Sequence, residues 1–434
     1  VSPRVALGWS QLLAAAGFAW TAFMITASLP FWPIDPMLSE SPWYTFQLDL
    51  ARCLWAVLPP TLAWGASFPL ALAAVRFPGG DPGRQVGSIY AANTFGSIVG
   101  ALALSLVLTP ALGTQHSQRV LLAMSAAAGM VVLAPFVRRW SARAAMLAAV
   151  ALAVCGLAGA VRSVPPKLIL HGRRMPVWPD PAEFLYTAEG RNSSLVVARW
   201  ADGALGIGVN GHVEATTEPH DMKLQRMVGH LPALLHPSPE SVLGIGFGAG
   251  VSAGAFTTHP SVRRITICEI EPLIPPASAR FFGEHNHQVF HDPRTRIVYD
   301  DARHYVLTTR ETFDIIASDP LDVFAKGTAA LYTRGYFEAV KRRLKPGGVF
   351  TLYVPLYESD LRTVQSEFAT FFEAFPHGSV WANTVDGQGY DLVLMGQVGP
   401  LRIDLDEIDR RWKRPDYASV VRSLGEAGVT SPFE

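Results

Sequence analysis

Cysteine is scarce in this 434-residue chain: Cys53, Cys155 and Cys268 are its only three. They lie far apart in apolar surroundings, without the short paired spacings of a zinc site or an even-numbered disulfide framework. Charge is scarce too, at 17% of residues, and the 36 basic residues balance the 36 acidic ones. That balance argues against a strongly basic nucleic-acid binder, so no nucleic-acid partner is expected. The 12 histidines form no metal constellation. His285-Asn286-His287 alone is too sparse and reads as helix-end or surface polarity, and no metal is expected. What the chain has in plenty is apolar sequence, with 49% hydrophobic residues and a mean hydropathy of +0.22. That is too apolar for one ordinary soluble domain. The chain opens at Val1 directly into such sequence, as the C-terminal part of a longer protein would.

Apolar runs concentrate before Arg162, over 5–29, 53–75, 86–112, 120–137 and 144–161. An α-helix rises about 1.5 Å per residue, so roughly 18 to 25 residues cross a hydrocarbon core of about 30 Å. The last two runs only just reach that length, at 18 residues each. All five are apolar all round rather than striped, which favours membrane spans over the buried helices of a soluble protein. Their recurrence excludes a single secretory leader. Residues 1–162 are therefore expected to form a transmembrane helical region of about five spans. Gly96 and Gly100, four apart, mark a face for close helix packing. Asn93, Asp49 and Arg52 read as helix-packing or interfacial polar groups. Pro59, Pro60 and Pro69 should kink the second span by removing backbone donors. Basic residues on the two sides number six against five, which does not decide the orientation.

Composition changes after Arg162. Residues 163–182, with Pro165-Pro166 and Pro176, Pro179 and Pro181, read as a stiff linker. Residues 183–220 read as a small β-strand domain, with turn signals at Glu189-Gly190, Asp202-Gly203 and Asn210-Gly211. Over 221–400, a helix at 222–235 precedes strands at 241–246, 264–269, 296–299, 313–318 and 347–354, each separated by helical sequence. Alternation of that kind implies an α/β domain whose mostly parallel sheet is covered on both faces. Residues 401–434 read as a solvated C-terminal tail of mixed charge.

Chemistry concentrates in this second half. Val242-Leu-Gly-Ile-Gly246-Phe-Gly248-Ala-Gly250 is an apolar strand running into a glycine-rich turn that should open a helix and bring backbone amides close to a ligand. Glu269 ends the next strand 19 residues after Gly250, where an acid accepts from ribose hydroxyls in nucleoside-binding sheets. Asp300 and Asp301 follow the third strand. A helix cap suits Asp300 at least as well as a ligand does, whereas Asp301 is the better candidate for an exocyclic amine of adenine. Asp319 and Asp322 stand three apart at the carboxyl end of the strand 313–318, the edge at which open α/β sheets bind ligands. An acid there can take a proton from an attacking amine or hold a cationic substrate.

These four elements, in this order, resemble spermidine synthase and its aminopropyltransferase relatives, in particular the branch of that family fused to membrane spans. The resemblance runs over about 189–397 and includes Gly229-His-Leu-Pro232, His259-Pro-Ser-Val262, Cys268-Glu-Ile-Glu271, Leu331-Tyr-Thr333 and Leu344-Lys-Pro-Gly-Gly348. It implies a small β-domain followed by a Rossmann-like sheet of the class I methyltransferase kind. It also implies transfer of a propylamine group from decarboxylated S-adenosylmethionine to an amine or polyamine acceptor, with release of methylthioadenosine. Gly246, Gly248, Gly250, Glu269 and Asp301 match the nucleoside-binding positions, Asp319 the catalytic aspartate, Asp322 the second acid of the DxxD pair, and Gln225 a glutamine of the substrate entrance. A homo-oligomer is left open.

Three positions depart from the family pattern. Ala249 stands where the family's loop usually carries an aspartate that grips the ammonium of the aminopropyl group. Leu224 replaces a catalytic tyrosine, and Tyr353 a polar glutamine of the substrate site. Losing a carboxylate opposite an ammonium costs about 1.5–3 kcal/mol, roughly one to two decades in affinity. Two further readings follow. One is another S-adenosylmethionine-dependent transfer, such as methyl transfer, because Ala249 would not repel an unmodified methionine carboxylate. The other is a non-catalytic nucleoside sensor on a membrane bundle, prompted by Leu224. A sulfonium nucleoside made in the cytoplasm argues for a catalytic domain on the cytoplasmic side of an inner or plasma membrane. Five full crossings would put that domain opposite the loop bearing Arg138, Arg139 and Arg143, so either the nearly tied charge count misleads or a marginal segment such as 144–161 does not cross fully.

Overall fold

A computed structural model describes residues 2–32, 41–75, 81–175, 177–319, 323, 327–356, 359–385, 388–400 and 403–432. The chain divides into two compact units, one comprising Val1–Asp180, Thr187–Val196 and Val209–His212, the other the remainder.

In the first unit, three helices begin in the same way, with a small polar residue directly before proline. Ser2, Ser41 and Asp81 cap α1 (Pro3–Phe23), α2 (Pro42–Ala74) and α3 (Pro82–Ala103). Proline suits the first helical position, where its missing N–H would be unsatisfied anyway, and the preceding oxygen accepts from a first-turn amide. α4 (Thr109–Leu133) and α5 (Trp140–Ala160) follow. Among the described residues, four helical stretches are long and apolar enough to cross a membrane: Pro3–Phe31, Trp43–Ala74, Pro82–Phe136 and Trp140–Ala160. The third and fourth expected spans thus share one stretch of 55 residues, more than twice what a core of about 30 Å needs. That stretch breaks at Gly113 (φ 77°, ψ 167°), one residue past the expected end of the third span. Leu152, Val131 and Phe95 are each more than 70% exposed, as side chains facing lipid or another apolar surface would be.

The prolines inside α2 free carbonyls that helix α1 then satisfies. Pro59 and Pro60 cannot donate to Trp55 and Ala56, and those two carbonyls accept from Trp20 Nε1 (2.9 Å) and Thr21 Oγ1 (2.8 Å). The glycine contacts differ from the sequence expectation. Gly96 and Gly100 have no neighbour that an added Cβ would meet, whereas one at Gly17 would strike Pro60 and one at Gly8 would strike Leu133. Four-residue spacing shows that close approach is allowed on a face without showing that a partner occupies it. The linker also contains a short helix, α6 (Pro166–His171), which ends at Gly172 with φ +53° and buries Ile169 and Leu170.

The small sheet is a four-strand meander: β1 (Glu183–Glu189), β2 (Ser194–Arg199), β3 (Leu205–Val209) and β4 (His212–Thr216). Asn210 and Gly211 both adopt positive φ, which a two-residue hairpin turn requires.

The remaining elements build a seven-stranded sheet. Helix α7 (Pro219–Leu235) leads into β5 (Ser241–Ile245), then come α8 (Val251–Thr257), β6 (Arg264–Glu269), α9 (Ile274–Phe282), β7 (Thr295–Tyr299), α10 (Ala302–Thr308) and β8 (Phe313–Ser318). After these come α11 (Arg334–Arg343), β9 (Leu344–Pro355), α12 (Leu361–Ala374), β10 (Ser379–Val385), β11 (Gln388–Gln397), α13 (Leu405–Trp412) and α14 (Ala418–Glu426). The strand order is β10-β11-β9-β8-β5-β6-β7. β5 pairs parallel with both β6 and β8, so the chain winds outward on one side and returns to wind on the other. Ligand crevices open at the carboxyl ends of two such strands. Phe313, Phe337, Phe350, Phe371 and Phe375 fill the core between the sheet and helices α11 and α12.

Two parts of this unit lay outside the sequence expectation. β10 and β11 form an antiparallel hairpin against β9. The tail is docked rather than solvated: Arg411 donates to the carbonyls of Leu234 and His236, and Val420 and Leu424 are buried beside Leu234. Nor is His287 surface polarity. Its Nε2 and that of His230 both meet Ser423 Oγ, at 3.0 and 2.8 Å, and the nearly inaccessible Arg226 pairs with Glu426 at 2.9 Å. Burial pushes His287 down to about 4 and His259 to about 3, so both are neutral.

Candidate active site

The loop after β5 is shaped by its glycines. Gly246, Gly248 and Gly250 all have φ between +50° and +83°, which residues with a Cβ rarely adopt. Gly246 N–H donates to Cys268 O at 2.9 Å, and Gly250 forms the N-cap of α8. Backing groups hold the loop from behind: Ser278 Oγ donates to Gly248 O and Asn286 Nδ2 to Ala249 O. An added Cβ at Gly248 meets nothing within 4 Å, so the loop backbone has open space at that point. Ala249 is 2% exposed and supplies no charge.

Glu269 ends β6 next to this loop. Its Oε2 accepts from Phe247 N–H and its Oε1 from Glu271 N–H, both at 2.8 Å. Burial nevertheless raises its proton affinity, against the pull of these amides. Ile270 N–H adds a third backbone hydrogen bond to the same carboxylate. Cys268, the neighbouring residue, is buried with its thiol pushed up to about 12, which leaves it inert at neutral pH. Beyond β7 the helix cap falls to Asp301 and not to Asp300. Asp301 Oδ1 accepts from His304 N–H, while Asp300 accepts from Asp301 N–H and meets His304 Nδ1 at 2.7 Å. Both acids were able to cap by sequence, and the strand's end set which one did. Asp301 is exposed and retains Oδ2 for a ligand.

Asp319 directly follows β8, and its N–H donates to Ile245 O at 3.3 Å. A Cβ at Gly246 would lie 3.3 Å from its carbonyl oxygen, so loop and aspartate stand side by side at the crevice. Ser252 Oγ, in the first turn of α8, donates to its Oδ2 at 2.7 Å. Desolvation raises the Asp319 proton affinity, the Ser252 hydrogen bond opposes this, and the charge of Asp221 adds to it. Asp322 lies outside the described residues.

Asp221, in the first turn of α7, accepts from Thr216 Oγ1. Gln225 one turn on spends its amide on the carbonyls of Thr216 (3.0 Å) and Asp221 (3.3 Å), which fixes the junction of β4 and α7. Leu224 is buried. Tyr353, on β9, donates its hydroxyl to Asp391 Oδ1 at 3.1 Å. Asp391 belongs to β11 and is fully inaccessible, with burial and the charges of Asp221 and Asp319 pushing it up to about 7. Of the residues singled out from the sequence, the structure sets Gly246, Glu269 and Asp319 side by side at the carboxyl ends of β5, β6 and β8; Ser252, Asp221 and Asp391, which touch or flank Asp319 and Tyr353, were not singled out. Asp386-Gly387 between two strand-like runs is a common hairpin pair and signals the strand that carries Asp391, without marking that residue itself.

Residues 222–382 match the spermine/spermidine synthase domain family. Polyamine aminopropyltransferases of Escherichia coli O1:K1 and Shigella sonnei strain Ss046 are 33% and 34% identical to this chain over 166 residues, which are 38% of it and 57% of each relative. The chain thus spans little more than half the length of the curated relatives it matches. A crystal structure of spermidine synthase in complex with the transition-state analogue AdoDATO aligns with 23% identity and a TM-score of 0.49, over 56% of this chain and 88% of that one. Spermidine synthase from Thermotoga maritima aligns with 22% identity and a TM-score of 0.46, over 56% and 87%. The α/β region of this chain is spermidine synthase-like.

Proposed function

We propose that this chain is a membrane-anchored aminopropyltransferase, which moves the propylamine group of decarboxylated S-adenosylmethionine to an amine acceptor and releases methylthioadenosine. The observation that carries the reading is Asp319, a desolvated carboxylate beside the glycine loop at the crevice between β5 and β8. Gly246, Gly248, Gly250, Glu269 and Asp301 would hold the nucleoside. The loop's open backbone and the paired oxygens of Glu269 fit its ribose. Tyr353 would face the acceptor, Gln225 would keep the entrance in shape, and Asp322 would serve as the second acid of the pair.

In the reaction the lone pair of a neutral amine attacks the propyl carbon bonded to the sulfonium. A C–N bond forms, the C–S bond breaks, and its electron pair neutralises sulfur to give a thioether. The proton displaced from nitrogen goes to the Asp319 carboxylate, whose raised proton affinity makes it a better acceptor than an ordinary aspartate.

Four long apolar helical stretches support the membrane anchor, and cytoplasmic supply of the donor supports a catalytic domain facing inward. One observation favours methyl transfer instead: buried Ala249 puts no charge against a methionine carboxylate. Single-turnover reactions with either donor separate the two. Amine-dependent release of methylthioadenosine supports propyl transfer, and S-adenosylhomocysteine would replace it with methyl transfer. Labelling of cysteines introduced on either side of 144–161 tests the topology, and external labelling of the α/β region would refute the inward placement.

A further inference from the structure

Behind the glycine loop, α7, α14 and the turn that follows α9 share a largely buried polar chain that the proposed reaction does not use. Arg226 of α7 and Ser423 of α14 both meet His287 Nε2, the serine hydroxyl at 3.0 Å. Ser423 Oγ also lies 2.8 Å from His230 Nε2, and His230 Nδ1 lies 3.0 Å from His259 Nε2. Burial keeps all three histidines neutral near physiological pH.

One proton arrangement satisfies the chain. A guanidinium only donates, so His287 Nε2 is an acceptor and Ser423 gives it the single hydroxyl proton. Ser423 Oγ then accepts from His230 Nε2–H, which leaves His230 Nδ1 bare to accept from His259 Nε2–H. Ser423 thus orders histidines on three segments of the chain, and a side chain without a hydroxyl breaks the order on both sides.

The other side of His287 bears on the loop. His287 and Gln288 have φ of +52° and +55°, a left-handed backbone that residues with a Cβ adopt only where their surroundings hold them there. Asn286, just before them, is fully buried, and its Nδ2 donates to Ala249 O at 2.9 Å. A Cβ at Gly250 would stand 2.9 Å from that same Nδ2 and one at Gly254 would strike Asn286 O, so the loop and α8 rest directly on this residue. Glu426, one turn beyond Ser423 on α14, pairs with Arg226 at 2.9 Å and so holds the same turn a second time.

We propose that Ser423 is a positioning residue of the glycine loop: by tying α14 to His287 it holds the left-handed turn from which Asn286 fixes the Ala249 carbonyl, so the C-terminal helix sets how well the loop receives a nucleoside. The inference rests on the nucleoside-binding part of the proposed function. It adds a dependence on a helix outside the strand, turn and helix that form the loop.

The test is Ser423→Ala in the full chain, with Ser423→Thr as the variant that keeps the hydroxyl. In Ser423→Ala the dissociation constant of methylthioadenosine, read by calorimetry, should rise about tenfold while the amine KM holds. Hydrogen exchange at the amides of 246–250 should quicken in the same variant, and Ser423→Thr should return both readouts to near wild type. Unchanged nucleoside affinity in Ser423→Ala, an equal change in amine KM, or the same loss in Ser423→Thr would overturn the proposal. Glu426→Gln, at a half-exposed position, loosens Arg226 and should weaken nucleoside binding by less, and it serves where Ser423→Ala does not fold. If wild type turns over no amine, affinity and exchange decide. If it binds no nucleoside, that reading fails by itself and exchange alone decides the coupling: loop exchange that quickens more than that of β5 supports it, and loop exchange that does not refutes it.

Discussion

The two edges of the crevice are built on opposite terms. On the glycine-loop edge, proposed above to hold the nucleoside, polar groups are already engaged: both oxygens of Glu269 accept backbone amides, and the carbonyls of Gly248 and Ala249 are held by Ser278 and Asn286. On the acceptor edge, Asp319 is held by the Ser252 hydroxyl, and Asp391 keeps a buried oxygen without a partner. The first edge is finished before a ligand arrives, as preorganised recognition of a fixed shape requires. The second gathers acids whose proton affinity burial raises, so a proton or an incoming cation neutralises them. Under the proposed reading, the filled hydrogen bonds of the first edge would suit a nucleoside of fixed shape and the acids of the second an amine.

The largest expected break in this comparison is Asp319→Asn. It removes the proton acceptor and should lower turnover by about 10² to 10⁴-fold. Nucleoside affinity, measured by calorimetry, should stay within a few-fold, because the other edge is untouched; a parallel loss of both would dissolve the distinction. Restoring charge on the opposite edge is the next largest change. Ala249→Asp should improve discrimination for decarboxylated over intact S-adenosylmethionine by about one to two decades, read from the ratio of the two KM values. An unchanged ratio would mean that the aminopropyl ammonium never reaches the loop.

Glu269→Gln sharpens the nucleoside edge. It places an amide donor against the N–H of Phe247 or Glu271, and methylthioadenosine affinity should fall about tenfold or more while the diamine KM holds. Smallest is a stability effect at Asp391. Its folded value of about 7 lies above the ordinary aspartate value of 3.8, so the folded state keeps a proton that the unfolded state has lost. Wild-type stability from this group is therefore full below about pH 4 and declines as pH rises to about 7. Asp391→Asn lacks that decline. Its Tm relative to wild type should climb by a few degrees across the same window and level off above it, whereas a flat difference would mean that Asp391 is ionised throughout.

Legibility in the sequence follows the same division. The glycine-loop edge is written in one continuous segment, where strand, glycines, helix and a following acid stand at fixed spacings, so the strand-turn-helix from Val242 and the acid Glu269 at the end of β6 could be placed directly. Asp319 was readable because it closes an apolar strand. Asp391 was not, because only the order β11-β9-β8 brings its strand beside the others, and Asp221 was not, because it opens a helix outside that order. Adjacent Asp300 and Asp301 defeated local reasoning for a different cause: either can cap a helix, and a one-residue difference in where β7 ends decides the matter. In the helical unit, hydropathy located the long apolar stretches and even the break near Leu112. The glycine pair at Gly96 and Gly100 misled, because small residues permit contact without naming a neighbour, while the contacts that do form use Gly8 and Gly17.

The central claim is that a propylamine group moves from sulfur to an amine nitrogen at Asp319. The most direct measurement supplies decarboxylated S-adenosylmethionine isotopically labelled in the propyl carbons, together with an unlabelled diamine, and locates the label by mass spectrometry. The account predicts labelled amine product and unlabelled methylthioadenosine, both absent in Asp319→Asn. Label that stays with the nucleoside while the protein binds it, or an amine that gains only a methyl group from S-adenosylmethionine, would contradict it.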